Sequence, residues 1–337
     1  MVDAERKAWK TVWMGILLAC VLLLGLEGGA RQVAWGHVGR RLLFAPSLGT
    51  GNPQLDVKWL RLQAMQQQGE VNCVMIGSSM VNVGVDAKQL SQELGGQTQG
   101  DWYCFNLGLS TLTGESAGVV GRLAVRQTQP RLLIYGVSMR DFSAQFGELA
   151  RPLDDAPWVR YRLGEEVFAG WLFEHSFLYR YTVAFKTWLR PANRPMMEQY
   201  QALTGGDGFS ASDENNPEPF PERPLIENFF INPADWAGLE ALVALNGPQT
   251  RLVVVEMPVQ EEFLPFYVVG GKDAYEALFL NPLGEYLNAH GVVLLRGQEM
   301  ANTIPAEGWY DQRHFNALGA RLFTQWLAQQ LIESGVR

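Results

Sequence analysis

The amino-acid sequence predicts a three-layer α/β/α fold, with a mainly parallel sheet of five strands between helices and one N-terminal transmembrane helix before it. Three observations predict this fold. Apolar runs of strand length alternate with helical patterns, each run is almost continuously hydrophobic, and one uncharged apolar segment stands near the N-terminus. Parallel strands have such continuous hydrophobicity because helices cover both of their faces. With 47% hydrophobic and 18% charged residues among 337, the chain can bury a large core.

The apolar segment runs from Thr11 to Leu26 without a charge, between Lys10 and Glu27. Together with the small residues at 28–30 it reaches about 20 residues, which is enough to cross a hydrocarbon core of ~30 Å. A cleaved signal peptide is the alternative, although residues 28–30 match a cleavage site only loosely. We favour an uncleaved anchor. Basic residues before the segment place the N-terminus in the cytoplasm, so we expect a single-pass membrane protein with an extracytoplasmic body, periplasmic or at the cell surface.

The predicted organisation has three parts. Residues 1–30 form a cytoplasmic stub and the anchor, 31–69 form a juxtamembrane linker or helix, and 70–337 form the α/β domain. An insert at about 142–231 interrupts the α/β rhythm with an aromatic-rich stretch and then a polar run at 205–224, which we expect to be a mobile loop. The aromatic stretch is either a helical insert that packs into the main core, which we favour, or a surface that shapes a substrate groove or rests on the membrane.

Five strands are predicted, at 71–76, 103–107, 131–136, 251–256 and 292–295. Helical patterns cover 86–94, 115–127, 234–245, about 273–288 and 316–333. The third of these helices has recognisable ends, with Asn232 as the N-cap, Pro233 in the first turn and Gly247 just beyond the last turn.

Charge and cysteine content exclude several classes of partner. The net charge of -8 argues against a nucleic-acid partner, which would need clustered basic residues. The local basic cluster of Arg31, His37, Arg40 and Arg41 follows the apolar segment, so we assign it to the membrane surface. Few cysteines exclude a disulfide framework, and no residues have metal-ligand spacing, so we expect neither a metal nor a cofactor.

A serine, a histidine and a carboxylate stand at positions that suit nucleophilic catalysis. Ser79 follows the first predicted strand, and Asp311 and His314 precede the last predicted helix. A serine hydroxyl is a weak nucleophile until a histidine accepts its proton, and a carboxylate orients that histidine. Ligands of parallel sheets bind beyond the carboxyl ends of the strands, where Gly108 and Ser138 also stand. The sequence therefore predicts one shared site at this edge of the sheet.

These motifs resemble those of the SGNH, or GDSL-like, hydrolase superfamily, and within it the membrane-anchored branches associated with surface-polymer O-acylation and esterase activity. The family motif G-D-S-x-x-x-x-G is matched by residues 77–84, Gly-Ser-Ser-Met-Val-Asn-Val-Gly, with Ser78 in place of Asp. The glycine that follows the second strand in the family is matched by Gly108, and the D-x-x-H motif by Asp311 and His314. The third motif, G-x-N-D, falls on residues 136–139, where this chain has serine instead of asparagine.

The resemblance implies a flavodoxin-like sheet of the SGNH type and a role for each matched residue. Ser79 would be the nucleophile, because the spacing to Gly84 favours it over Ser78. His314 would be the general base, and Asp311 would orient it.

The resemblance also implies an oxyanion hole made by the Ser79 and Gly108 N–H groups and by Ser138, which stands where the family has Asn. Asn106 and Arg140 are expected to contact substrate. Arg140 has the alternative of pairing with the adjacent Asp141.

The function implied is that of an esterase or O-acyltransferase that acts through an acyl-serine intermediate on an acylated envelope glycan or a lipid-linked ester. A multipass membrane O-acyltransferase is the partner that the resemblance implies. The alternative is a catalytically weak or inactive module of the same fold, which binds a glycan or assists such an acyltransferase. The serine at position 138 is what suggests this alternative.

Overall fold

The computed structural model of the protein describes residues 2–36, 42–69, 71–98, 100–147, 153–210, 216 and 219–336. Within these residues a five-stranded sheet lies between helices, as predicted. His37, Arg40 and Arg41 of the predicted basic cluster lie outside the described residues, as does part of the predicted loop at 205–224.

All five strands are parallel, in the order β2-β1-β3-β4-β5. They are β1 (Cys73–Gly77), β2 (Cys104–Gly108), β3 (Leu132–Val137), β4 (Arg251–Glu256) and β5 (Val293–Leu295). The predicted strands and their parallel pairing are thus confirmed. This is the flavodoxin-like order, whose direction reverses between β1 and β3, and ligands of such sheets bind beyond the carboxyl ends at that point.

The α-helices of the described residues, in chain order, are α1 (Val2–Trp35), α2 (Pro53–Gln68), α3 (Ser79–Gly84), α4 (Ala87–Gln97), α5 (Gly114–Thr128), α6 (Ala144–Gly147), α7 (Pro157–Leu163), α8 (Phe168–His175), α9 (Phe177–Trp188), α10 (Arg194–Leu203), α11 (Pro233–Val243), α12 (Leu264–Tyr267), α13 (Gly271–Tyr275), α14 (Asn281–Ala289) and α15 (Ala317–Glu333). Helix α4 packs with α15, and α5 packs with α11. Right-handed crossovers between parallel strands place these pairs on opposite faces of the sheet.

The beginning of α11 follows the predicted sequence signal, whereas the helix ends at Val243, before the predicted end at 245 and its Gly247 signal. Asn232 caps α11 by accepting a hydrogen bond from the Ala234 N–H, as predicted. The helix predicted at 273–288 is instead interrupted by a π-helical segment, Glu276–Leu280, before α14 begins. Pro282 explains this interruption, because proline has no N–H to donate and its ring displaces the preceding turn.

Three glycines lie side by side at the carboxyl ends of neighbouring strands. Gly108 of β2, Gly77 of β1 and Gly136 of β3 are in register. A Cβ at Gly77 or at Gly136 would collide with the side chain of Val81 in α3, and one at Gly108 would lie 2.5 Å from the Asn82 backbone nitrogen. The glycines therefore let α3 pack directly over the ends of three strands.

The anchor helix is longer than predicted. Its segment Trp9–Trp35 contains an 18-residue window with a mean hydropathy of 2.0 and is long and apolar enough to span a membrane. Helix α1 continues without a break to Trp35, past the predicted boundary at residue 30. Its last turns join the folded body through a small apolar cluster that includes Ala34, Val57 and Phe177.

Helix α2 belongs to the core of the α/β domain, although the sequence assigned 31–69 to a juxtamembrane segment. Leu55, Trp59 and Leu62 are buried in the main core cluster. Trp59 packs edge to face against Trp158 of the insert at a ring distance of 5.0 Å. Part of the aromatic insert therefore packs into the main core, as favoured above, while Phe168 of α8 is exposed.

The beginning of the predicted loop, at residues 205–210, packs against strand β2 and helix α3. The Asn106 N–H of β2 donates to the Asp207 carbonyl at 2.8 Å, and the Ser210 N–H donates to the Asn82 carbonyl at 3.3 Å. These hydrogen bonds keep the start of the loop beside the carboxyl end of β2.

We expect Gly238→Ala to destabilise the fold by about 1–3 kcal/mol, because the added methyl group overpacks a tight interface. A Cβ at Gly238 of α11 would collide with the Gly114 backbone of α5. Gly96→Ala is the matched control, since Gly96 also lies in a helix but has no neighbour within 4 Å. It should stabilise by up to about 1 kcal/mol through helix propensity. Denaturant unfolding of both variants measures the difference, and equal shifts would contradict the packing explanation.

Candidate active site

Ser79 begins α3, immediately after β1 ends. Gly77 has a φ of 151°, a value that favours glycine, and allows the chain to turn sharply at this point. Ser79 is half-buried and its Oγ lies 2.8 Å from His314 Nε2. The neighbouring Ser78 is buried, with 3% of its surface exposed. The structure thus brings Ser79, and not Ser78, to the histidine.

His314 and Asp311 lie on a tight turn before α15. The Tyr310 N–H donates to the His314 carbonyl at 2.8 Å, which closes the turn. Asp311 Oδ2 lies 2.8 Å from His314 Nδ1, and Asp311 Oδ1 accepts the backbone N–H groups of Arg313 and His314 at 2.9 and 2.8 Å. One carboxylate therefore orients both the imidazole ring and the turn that carries it.

The electrostatics of the turn keep Asp311 ionised. Burial favours the neutral carboxyl, but hydrogen bonds from the His314 ring and from two backbone N–H groups outweigh it and lower the pKa of Asp311. An ionised carboxylate at Nδ1 requires the imidazole proton to be on that nitrogen. Nε2 is then the acceptor that faces the Ser79 hydroxyl. The three groups form a relay from the carboxylate through the imidazole to the hydroxyl.

The predicted oxyanion donors are placed less favourably. Within the described residues, no group accepts a hydrogen bond from the Ser79 N–H, which is available to a ligand. The Gly108 N–H instead donates to Asn106 Oδ1 at 2.9 Å. Ser138 is buried, with its hydroxyl bonded to Asp141 and Tyr267. Only the first of the three predicted donors is thus free in this structure.

Asn106 supports the site from beneath and does not contact its open side. The side chain is fully buried, and its Nδ2 donates to the carbonyls of Val81 and Val85 in and just after α3. The prediction that Asn106 contacts substrate is therefore wrong, because no substrate atom can reach a fully enclosed amide. Its hydrogen bonds instead tie β2 to the helix that carries Ser79.

A buried lysine, which sequence reasoning missed, lies behind Asn106. Lys58 of α2 is fully buried, and its Nζ donates to the Asn106 carbonyl at 3.1 Å and to Asn106 Oδ1 at 3.3 Å. Burial lowers the pKa of Lys58 well below its usual range, and the negative charge of Asp207 only partly offsets this. No sequence signal pointed to this lysine, because lysines of amphipathic helices are normally exposed.

A second buried ionisable residue, Asp141, lies beside Ser78. The Asp141 carboxylate accepts the Ser138 N–H at 3.0 Å and is also hydrogen-bonded to the hydroxyls of Ser138 and Ser78. Burial is the largest influence on Asp141 and raises its pKa to about 7, although these hydrogen bonds and the charge of Arg140 oppose the rise. The Ser-x-x-Asp spacing of Ser138 and Asp141 is that of a capping box, a sequence signal that could have indicated this contact.

Arg140 is half-buried and lies just beyond the end of β3. Its guanidinium group stacks over the Phe146 ring at 4.8 Å, and among the described residues it forms no ion pair with Asp141. Together with Thr111 and Leu112 it lines a shallow cleft next to the loop after β2. Arg140 and Asp141 both line this cleft, and Arg140 is the more exposed of the two.

The same loop borders a larger cavity of about 370 Å³. Thr111 and Leu112 face both the cleft and the cavity, and Tyr200 of α10 forms part of the cavity wall. Thr111 has a φ of 62°, an uncommon conformation for a residue other than glycine. Strained residues of this kind are concentrated at ligand sites, so the loop after β2 is a candidate binding element.

Comparisons with known proteins add little to this geometry. The chain matches no family model and none of the curated proteins with which it was compared. Among solved structures it is similar to a protein from Parabacteroides merdae that is provisionally described as a GDSL-like lipase, with 12% sequence identity and a TM-score of 0.35. The similarity covers 77% of this chain and 95% of that chain. At this TM-score the likeness does not bear on activity.

We expect Asp141→Asn to change how stability depends on pH. The Asp141 pKa rises from 3.8 to about 7 on folding, so the folded wild type loses stability relative to the unfolded chain as pH increases across that window. Asp141→Asn has no titrating carboxyl at this position, so its stability should not decrease for this reason. Its melting temperature relative to wild type should therefore increase from acidic to neutral pH in thermal scans.

Asp101→Asn is the control for this measurement, because it removes one exposed carboxylate just before β2. The Asp101 variant should follow wild type across the window. A constant difference between wild type and Asp141→Asn would contradict the raised pKa.

Proposed function

We propose that this protein is a serine esterase or O-acyltransferase that acts through an acyl-Ser79 intermediate. The relay of Ser79, His314 and Asp311, with successive distances of 2.8 Å and 2.8 Å, is the observation that carries the proposal. These distances are within hydrogen-bond reach, and the order of the groups is that of a nucleophile, a general base and the group that orients the base.

The proposed reaction has two stages. Ser79 Oγ attacks the carbonyl carbon of an acyl ester while His314 Nε2 accepts the hydroxyl proton, and His314 then returns that proton to the departing alcohol. The acyl group remains on Ser79. Water or a second hydroxyl then attacks the acyl-serine while His314 Nε2 accepts its proton. His314 returns that proton to Ser79 Oγ as the C–O bond to Ser79 breaks, which releases the acid or the new ester and the free enzyme. Hydrolysis and transfer therefore differ only in which acceptor reaches the intermediate.

The Ser79 N–H supports this chemistry, because it donates to no group among the described residues and could donate to the oxyanion. A preorganised oxyanion donor contributes roughly 3 to 4 kcal/mol to transition-state stabilisation. A second contribution requires the Gly108 N–H to exchange its bond with Asn106 Oδ1 for one to the substrate. Lys58 favours this exchange, because its Nζ already donates to the same oxygen and would keep it satisfied.

The proposed substrate is an acylated envelope glycan or a lipid-linked ester outside the cytoplasm. The apolar helix α1 supports a membrane location. The cavity beside the loop after β2 does not include Ser79 or His314 in its wall, so it does not bear on substrate size. The resemblance of the motifs supports a multipass membrane O-acyltransferase as partner.

A second candidate function is that of a non-catalytic module, which binds a glycan or assists an acyltransferase. The engaged Gly108 N–H and the buried Ser138 hydroxyl favour it, because they leave a single free oxyanion donor among the three predicted. The two candidates differ in whether Ser79 reacts covalently.

We expect a fluorophosphonate probe to label the wild-type protein and not Ser79→Ala. Ser78→Ala is the matched control, since it removes the adjacent hydroxyl, and it should still be labelled. In-gel fluorescence after reaction measures the covalent adduct, and circular dichroism verifies that each variant is folded. A folded wild type that does not react would exclude the enzyme and favour the binding module.

We expect His314→Ala to lower kcat by at least about a thousandfold, because Ser79 loses its general base. The hydrolysis of p-nitrophenyl acetate by the purified full chain measures this effect. Asp311→Asn should reduce kcat by a comparable factor with little change in KM, since it removes the group that orients the imidazole. Turnover retained in His314→Ala would identify another base.

A further inference from the structure

We propose that the exposed aromatic surface of α8, formed by Phe168 and Trp171, lies in the headgroup region of the membrane that α1 enters. The insert would then hold the α/β domain against the bilayer in a defined orientation. This inference rests on α1 as a membrane span and is independent of the proposed chemistry at Ser79.

The insert is bound to α1 at the end of the apolar run. Glu27, the first residue after that run, accepts hydrogen bonds from Ser176 Oγ at 2.9 Å and from the backbone N–H groups of Phe177 and Leu178 at 2.9 and 3.0 Å. A carboxylate at this position also interacts favourably with the positive end of the helix dipole of α9. Arg31 pairs with Glu27 and donates to the His175 carbonyl. The junction of α8 and α9 is therefore fixed to the anchor at Glu27.

The length of the apolar run places this junction at the membrane surface. Thr11 to Leu26 is 16 residues, or about 24 Å of helix, whereas the hydrocarbon core is about 30 Å thick. Glu27 is the first charged residue after the run, and a charge is unfavourable within the hydrocarbon core. Glu27 and the groups that bind it therefore lie near the boundary between hydrocarbon and headgroups. Everything within one or two helical turns of that junction is close to the same boundary.

The joint between anchor and body is packed, so its orientation is set by the fold. The Trp35 ring contacts the Phe177 ring edge to face at 5.4 Å. Ala34, Val57 and Leu60 are buried in the same cluster, which joins α1, α2 and α9. Because α1 is continuous from the apolar run into this cluster, no flexible linker separates the span from the domain.

The aromatic pair lies close to this joint and faces away from the core. Trp171 lies one turn before His175, and the two rings are 5.2 Å apart. Phe168 is stacked on Trp171 at 6.0 Å. Their exposed fractions are 74% for Phe168 and 44% for Trp171. The opposite face of α8 is buried through Gly170 and Phe173.

The charges of this region are compatible with a headgroup location. Glu174 of α8 points into the body, where its carboxylate accepts hydrogen bonds from Trp158 and Arg162. Glu165, in the loop before α8, is paired with Arg160. Aromatic side chains, tryptophan above all, are enriched at the membrane interface, since they combine apolar area with tolerance of a polar environment. A bilayer surface thus fits the exposed face of α8.

Site-directed spin labelling of the full chain in vesicles tests this proposal. The chain has 11 tryptophans, so native fluorescence would not isolate Trp171. Cys20→Ala removes the one exposed cysteine of the described residues, while Cys73 and Cys104 are buried. Phe168→Cys in that background carries a nitroxide, and Trp171→Cys provides a second position. The vesicles contain phosphatidylcholine and phosphatidylglycerol.

The expected result is a nitroxide at position 168 that is more accessible to oxygen than to a water-soluble nickel complex, at a depth of about 5–10 Å. Leu278→Cys is the matched control. Leu278 is 45% exposed in the π-helical segment before α14, which packs on β5, and its label should be fully accessible to the nickel complex. Circular dichroism verifies that the labelled variants are folded.

A label at Leu22→Cys, within the apolar run, separates the possible failures. If Leu22 is deep in the bilayer while positions 168 and 171 are as accessible to nickel as position 278, the proposed surface is overturned and the span stands. If the Leu22 label is also aqueous, the span itself is overturned and the surface with it. Neither result depends on esterase activity, so the proposed chemistry is tested separately.

Discussion

The absence of side chains at three adjacent strand ends is the constraint on which the site depends. Gly108, Gly77 and Gly136 form a row across β2, β1 and β3 at the point where the sheet reverses its order. Any larger residue would push α3 away from the sheet, because Val81 and the Asn82 backbone occupy the space of the missing Cβ atoms. With α3 in place, Ser79 stands at the rim of the sheet within reach of His314, which is more than two hundred residues away in sequence. Hydrophobic burial drives the assembly of the sheet, but the close approach of α3 to the three strand ends determines where Ser79 lies.

Two sets of buried polar residues then hold helix α3. Asn106 and Lys58 act from the β2 side, and Asp141 acts from the β3 side through the hydroxyls of Ser78 and Ser138. Buried ionisable groups are costly unless they are hydrogen-bonded, and the raised pKa of Asp141 and the lowered pKa of Lys58 are the signs of that cost. The partners of these groups leave little freedom of movement around Ser79. They also engage two of the three predicted oxyanion donors, so the same preorganisation that positions the nucleophile limits the stabilisation of charge on a substrate.

Helix α2 contacts both Asn106, which supports α3, and the end of helix α1. One of its faces contributes Trp59 to the main core, the opposite face contributes Val57 and Leu60 to the cluster beneath α1, and Lys58 reaches Asn106 beside the active-site helix. A single helix therefore contacts both the joint with α1 and strand β2. Ser79 is consequently held at a fixed position relative to α1.

The sequence by itself determined the features that depend on local pattern. Continuous apolar runs predicted all five strands, because strands buried on both faces are made mostly of apolar residues. Motif spacing placed Ser79, Asp311 and His314 at one edge of the sheet. Only the tertiary structure determined which partners the polar residues between these motifs contact. Asn106 is enclosed and not exposed to substrate, Asp141 is hydrogen-bonded to Ser138 and not paired with Arg140, and α2 joins the core of the domain. These outcomes depend on which distant segments a side chain meets after folding, and no local periodicity or spacing encodes the identity of a partner that lies far away in the chain.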